Sequence, residues 1–164
     1  MIQPLTPGTP LPPWELEGFG DAPVPTVDDF RGRHLLVLFF SLFCPGCRYR
    51  AVPYANRLVV ERSDVVSVLG IHTNFEGPEL TDEQMAAGRD ELYIRFPVYR
   101  DAGIAATFYE YGAIGTPHWI TVDPEGRVVA NLFGSEPNRA LLRLDYYYQE
   151  VADQLAAGGA RGDS

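Results

Sequence analysis

Leu35-Leu36-Val37-Leu38-Phe39-Phe40-Ser41-Leu42-Phe43-Cys44-Pro45-Gly46-Cys47 is the stretch on which the fold turns. Leu35 to Phe40 is a continuous apolar run of strand length, the pattern of a central strand covered on both faces. Immediately after it the chain changes to Cys-Pro-Gly-Cys, and a helix is predicted from the cysteines to about Arg62. Pro45 suits a first helical turn, where a missing N–H costs nothing. Pro53 should kink the same helix. Val65 to Ile71 is a second apolar run, so strand, helix and strand predict a parallel pair joined by a right-handed crossover.

Further along, Thr81-Asp82-Glu83-Gln84 carries capping chemistry and opens another helix. Phe96 to Tyr99 reads as a short strand and Ile104 to Tyr111 as a short helix. His118 to Val122, the turn Asp123-Pro124-Glu125-Gly126, and Arg127 to Leu132 predict an antiparallel hairpin. Leu141, Leu144, Tyr148, Val151 and Leu155 recur at helical spacing, giving a closing helix over 140–156. The fold class is α/β, with a mixed central β-sheet flanked by helices on both faces. Residues 1–23, with prolines at 4, 7, 10, 12, 13 and 23, form an extended arm in which Trp14 covers an apolar edge. The domain proper is expected over 24–157 and a disordered tail over 158–164.

A chain of 164 residues suits one domain with a full core. Its net charge of −9 argues against a protein that tracks nucleic-acid phosphates and against a polybasic membrane anchor. No apolar run reaches membrane-spanning length, and the opening residues lack the basic and apolar regions of a secretory signal. With Met1 as the native start, the expected location is the cytoplasm. All 13 basic residues are arginine, which excludes a mechanism needing a lysine amine. Zinc is not expected, because neither a second Cys-x-x-Cys nor a His-x-x-x-His completes a ligand set.

The chemistry gathers at the only two cysteines. In a reducing compartment a closely spaced pair is catalytic or metal-binding rather than a structural staple. Cys44 falls at a helix N-terminus, where unpaired N–H groups and the helix dipole favour a thiolate. Cys47 lies one turn further on the same face. One sulfur attacks a disulfide and the other resolves the mixed disulfide. Phe43, Pro45 and Gly46 frame the pair, and Arg48 adds positive charge nearby. Gly115-Thr116-Pro117 precedes a strand, so Pro117 is a candidate cis proline packed against the dithiol, with the Thr116 backbone free to hold an extended substrate. His118 either neighbours the sulfurs, where its protonated ring would stabilise a thiolate, or points away along the strand. His72 follows a buried strand toward the same end, and His34 is expected at the surface.

From about Val24 to Gly134 the chain resembles the TlpA/ResA branch of the thioredoxin-like superfamily. The likeness rests on Asp29-Phe30-Arg31-Gly32-Arg33, Phe39 to Cys47, Gly115-Thr116-Pro117 and Asp123-Pro124-Glu125-Gly126-Arg127, in the family's order. Leu69 to Glu76 also resembles a subgroup of redoxin-domain proteins with the same Cys-Pro-Gly-Cys site. The resemblance implies a thioredoxin-like fold and dithiol/disulfide function with no cofactor beyond the redox-active disulfide. Three departures stand out: Phe43 replaces the usual tryptophan, Leu38 occupies the place of thioredoxin's buried aspartate, and no lysine accompanies it. Proton transfer from Cys47 must therefore use water or another group, and the resemblance makes Glu76 the candidate, since ResA-like proteins place a glutamate in a comparable loop.

The expected function is thiol–disulfide oxidoreduction through Cys44 and Cys47. The partners would be a disulfide-containing protein or small molecule, and a thioredoxin-reductase-like or other thiol electron donor; no nucleic acid and no membrane. A peroxiredoxin-like peroxide reductase is the alternative enzyme. Ser41 fits that motif's hydroxyl position, but Val37 stands where its proline belongs. A non-catalytic binding domain of the same fold is the third reading.

Overall fold

The apolar run forms the middle of a sheet. In the computed structural model, which describes residues 5–19, 23–73, 79–103 and 105–162, β2 (His34–Phe40) has every side chain from Leu35 to Phe40 at most 1% exposed. Alternation sends Leu36, Leu38 and Phe40 into one apolar cluster and Leu35, Val37 and Phe39 into another on the opposite face. β3 (Val66–His72) runs parallel to β2 on one side, and β5 (His118–Val122) runs antiparallel on the other. β4 (Val98–Asp101) continues the parallel set, while β6 (Val128–Phe133) completes the predicted hairpin with β5. β1 (Leu16–Glu17) closes the far edge, antiparallel to β4, in the order β1-β4-β3-β2-β5-β6.

After β2 the chain becomes helical at Pro45, widens into a π-turn over Cys47–Ala51 and continues as α1 (Val52–Glu61). The kink expected at Pro53 takes this form for a steric reason. Proline has no N–H for an i→i−4 bond and its ring crowds the carbonyl four residues back. The wider turn just before it, in which the Val52 N–H reaches the Cys47 carbonyl, accommodates both defects. α2 (Asp82–Glu91) starts with the reciprocal cap expected: Thr81 Oγ1 accepts the Gln84 N–H at 3.1 Å, and Gln84 Oε1 accepts the Thr81 N–H at 2.9 Å. α4 (Ala140–Gly162) extends beyond the predicted end at 156, so residues 158–162, read from sequence as tail, are helical. Ala156, Ala157 and Ala160, the strongest helix formers, carry it across the glycine pair. Among the described residues, no helix is long and apolar enough to cross a membrane.

Val52, Ala55 and Leu58 of α1 and Leu144, Tyr148 and Val151 of α4 pack beneath Leu36, Leu38 and Phe40. Within Tyr146-Tyr147-Tyr148 only Tyr148 is fully buried, its hydroxyl 2.7 Å from Thr121 Oγ1. The other face is covered by α3 (Ala106–Glu110) and by the proline-rich arm, through Leu11, Trp14, Phe108 and Tyr111. The arm is more structured than its sequence indicates. It bonds β6 at one edge, with the Gly8 N–H on the Val128 carbonyl at 2.7 Å, and supplies β1 at the other. The strand expected at 96–99 lies at Val98–Asp101, and the helix expected at 104–111 at Ala106–Glu110.

Candidate active site

Where β2 ends, its backbone turns sharply and is held at nearly every atom. The Phe43 N–H donates to Ser41 Oγ and the Cys44 N–H to the Ser41 carbonyl, each at 3.1 Å. The Arg48 N–H then returns to the Cys44 carbonyl at 3.0 Å, so Cys44 begins the helix as its sequence position required. The Cys47 N–H points at Cys44 Sγ from 3.3 Å, placing the second residue of the pair one turn above the first. Cys44 is partly exposed, whereas Cys47 is wholly buried; both are free thiols.

Burial pushes the Cys47 thiol far above the ordinary cysteine range, and its hydrogen bond with Cys44 adds to the rise. A backbone hydrogen bond at Ser41 and the Thr116 side chain act in the opposite sense and are the smaller effects. Cys47 is therefore a protonated thiol until a change around it or a base removes its proton.

The Thr116–Pro117 peptide is cis. This turns the Thr116 carbonyl toward Cys44, whose Sγ donates to it at 3.4 Å. Pro117 is buried, and its own carbonyl accepts the Gly134 N–H at 2.9 Å. Trp119 Nε1–H donates to the Gly134 carbonyl at 2.9 Å, locking the loop after β6 to the cis-proline loop. Ser135, in that locked loop, has no signal in the sequence, yet it lies against Gly46. A Cβ on Gly46 would lie 2.8 Å from Ser135 Oγ and 3.8 Å from Pro117 Cδ. The loops that carry Ser135 and Pro117 therefore lie against position 46. Phe43, next to Cys44 in the chain, and Ile114 and Phe133, which flank Gly115 before the cis proline, are 59%, 70% and 51% exposed.

Two of the residues predicted to support the dithiol stand differently. Arg48 is hydrogen-bonded to neither sulfur: its guanidinium donates to the Leu42 carbonyl at 3.1 Å and pairs with Glu91. His118 pairs with Phe39 across β5 and β2, so alternation puts it on the face opposite the cluster containing Cys47. There its Nε2 meets Asn131 Oδ1 at 3.1 Å, and burial lowers its pKa, leaving it uncharged at neutral pH. It is not a cation for the thiolate. Glu76 lies outside the described residues. His72 is buried at the site end of β3, bonded to the backbone of Leu42. His34 is half-buried, 3.3 Å from the Tyr147 hydroxyl. Val37, at the place where a peroxiredoxin-type loop needs proline, is inside β2. Among the described residues no group of three or more His, Cys, Asp or Glu is placed to hold a metal ion.

A dithiol at the junction of a central strand and a helix, one sulfur reachable and one buried, facing a cis proline, defines a thioredoxin-fold redox protein. The Redoxin family model matches residues 6–146, and the chain belongs to that family. Among solved structures it is similar to the thioredoxin-like superfamily protein SPOA0173, at 30% identity and a TM-score of 0.76 over 87% of this chain and 95% of that one. A thiol-disulfide isomerase from Corynebacterium glutamicum gives 28% identity and a TM-score of 0.75 over the same shares, 87% and 95%. A putative thiol:disulfide interchange protein DsbE from Chlorobium tepidum shares the fold, at 20% identity and a TM-score of 0.73 over 88% of this chain and 98% of that one. No curated protein matches the chain significantly. The family match begins within the proline-rich arm, in keeping with the arm's place in both edges of the sheet.

Proposed function

We propose that this Redoxin-family oxidoreductase reduces or exchanges disulfides of protein substrates, with Cys44 as the attacking sulfur and Cys47 as the resolving one. The observation that carries the reading is the unequal burial of the pair. Cys44 can be reached from solvent beside an apolar rim, while Cys47 is sealed and protonated. In the first step the Cys44 thiolate attacks a substrate disulfide, forming a mixed disulfide and releasing one substrate thiolate. Cys47 then attacks Cys44 Sγ, closing the Cys44–Cys47 disulfide, and its proton goes to the second substrate sulfur, which leaves as a thiol. The substrate gains two electrons and the protein loses two. A thiol electron donor, of thioredoxin-reductase or similar type, restores the dithiol.

Phe43, Ile114 and Phe133 support a protein substrate, because they offer an apolar rim to residues flanking the disulfide. The Thr116 backbone is available to an extended segment once Cys44 is engaged. The 28% identical isomerase supports the same chemistry. Reduction of insulin by a thiol donor tests the reading. The wild type should accelerate it and Cys44→Ser should abolish the acceleration; an inert wild type with several donors would overturn it.

A further inference from the structure

His72 takes no part in the steps above, yet it is 4% exposed and aimed at the turn that carries Cys44. Its Nε2 accepts the Leu42 N–H at 3.1 Å, which requires a neutral ring with the proton on Nδ1. Leu42 is itself buried, so its N–H has no water to turn to. The carbonyl of the same residue accepts from Arg48 Nη1 at 3.1 Å, with Arg48 anchored by Glu91 of α2. Both polar groups of one residue are thus held by side chains, one from β3 and one from the turn that follows Cys47. On either side the turn closes on itself, through Phe43 N–H to Ser41 Oγ and Cys44 N–H to the Ser41 carbonyl.

His72 is in turn fixed. The Thr73 N–H donates to the Phe40 carbonyl at 2.9 Å, and the Phe40 ring meets the imidazole edge to face at 5.6 Å. Burial, with the Arg100 charge as a smaller contributor, keeps the ring unprotonated and so keeps its acceptor available.

We propose that His72 is a positioning residue for the dithiol: by accepting the Leu42 N–H it fixes the Ser41–Cys44 turn, and with it the direction from which Cys44 Sγ meets a disulfide. This rests on the reading of Cys44 as the attacking thiol. In-line attack on a disulfide is sensitive to direction, so a turn free to rotate loses rate without losing either cysteine.

The test uses the full chain and a small disulfide, 5,5′-dithiobis(2-nitrobenzoate), whose release of coloured thiolate reports the Cys44 step. His72→Leu removes the acceptor; in His72→Gln, Oε1 reaches close to the position of Nε2. His72→Leu should slow the reaction about tenfold or more, and His72→Gln should recover most of that loss at equal folded fraction. If His72→Leu does not fold, His72→Asn replaces it, since its shorter side chain ends short of Leu42. A glutamine variant no faster than the leucine or asparagine one, or a leucine variant as fast as the active wild type, would overturn the role of His72 alone. An inert wild type would overturn the exchange reading as well.

Discussion

The backbone N–H of Cys47 is directed at Cys44 Sγ from 3.3 Å, while the Cys47 side chain is fully buried. One residue of the pair thereby serves the other twice, first as a hydrogen-bond donor to a developing thiolate and later as the nucleophile that releases it. The two sulfurs have different work because only one of them can be approached.

That difference is measurable. With the reduced protein at neutral pH, iodoacetamide should add one group, on Cys44, while Cys47 stays unmodified until the chain unfolds. The thiolate is the reactive species, and burial keeps Cys47 protonated as well as inaccessible. Peptide mapping by mass spectrometry checks it; equal labelling of both cysteines would contradict the site as described. Cys47→Ser should accumulate substrate on Cys44 as a stable mixed disulfide.

Gly46 and Ser135 should show strong coupling. A methyl at position 46 meets Ser135 Oγ at 2.8 Å, and Gly46→Ala should cost about 1 kcal/mol, the low end of the overpacking range, since a hydroxyl can turn aside and alanine favours the helix. The loss of disulfide reduction should be larger than the stability loss alone explains, because the displaced loop touches the cis-proline loop. Adding Ser135→Gly removes the obstructing hydroxyl and should restore much of both. Melting temperatures and insulin reduction for the two single variants and the double one decide it; additive effects would mean the two residues act separately.

This coupling also marks where the sequence stops being readable. Leu35–Phe40 followed by Cys-Pro-Gly-Cys defines a buried strand feeding a helix through local pattern alone, and Thr116–Pro117 gains its meaning from its place before a strand. Ser135 has no such pattern, since its role arises only when two distant loops meet. Arg48 looked like a cation for the sulfurs because they are its neighbours in sequence; Glu91, which neutralises it, comes from another helix. The face His118 takes was open in the sequence because facing depends on strand register, and the pairing of Phe39 with His118 is a tertiary fact. The two-residue strand β1 is too short to show any period at all.

Acid should weaken the fold through His72. In the folded chain its pKa is pushed down to about 4, against an ordinary value of 6.5, mainly by burial. Between those values the unfolded chain holds a proton that the folded chain does not, so stability is full above 6.5 and falls as the pH drops toward 4. For this group alone the loss approaches about 3 kcal/mol. His118, also depressed by burial, acts in the same direction. Asp101, whose carboxyl is raised by burial, offsets part of the loss, because it binds its proton more readily folded than unfolded. Urea unfolding midpoints across this range should fall more steeply for the wild type than for His72→Gln; parallel curves would show that His72 is not the group responsible.

The arm should prove part of the domain. Trp14 is 9% exposed, its indole N–H donates to the Pro25 carbonyl at 2.7 Å, and its ring meets Phe30 edge to face at 5.8 Å. Around it, the Glu15 N–H donates to Thr107 Oγ1 at 2.9 Å, and β1 covers the outer edge of β4. Trp14→Ala removes a large apolar side chain from a packed layer and leaves the Pro25 carbonyl without its donor, a loss on the order of 3–5 kcal/mol. A fall of that size in unfolding free energy, followed through the remaining Trp119, is the expected result. Trp14 packs in the cluster on the face opposite the one that holds Cys47, so the folded variant should still reduce insulin at close to the wild-type rate. A variant as stable as the wild type would show that the arm merely rests on the sheet. A stable variant with lost activity would place Trp14 in the site, which its contacts do not support.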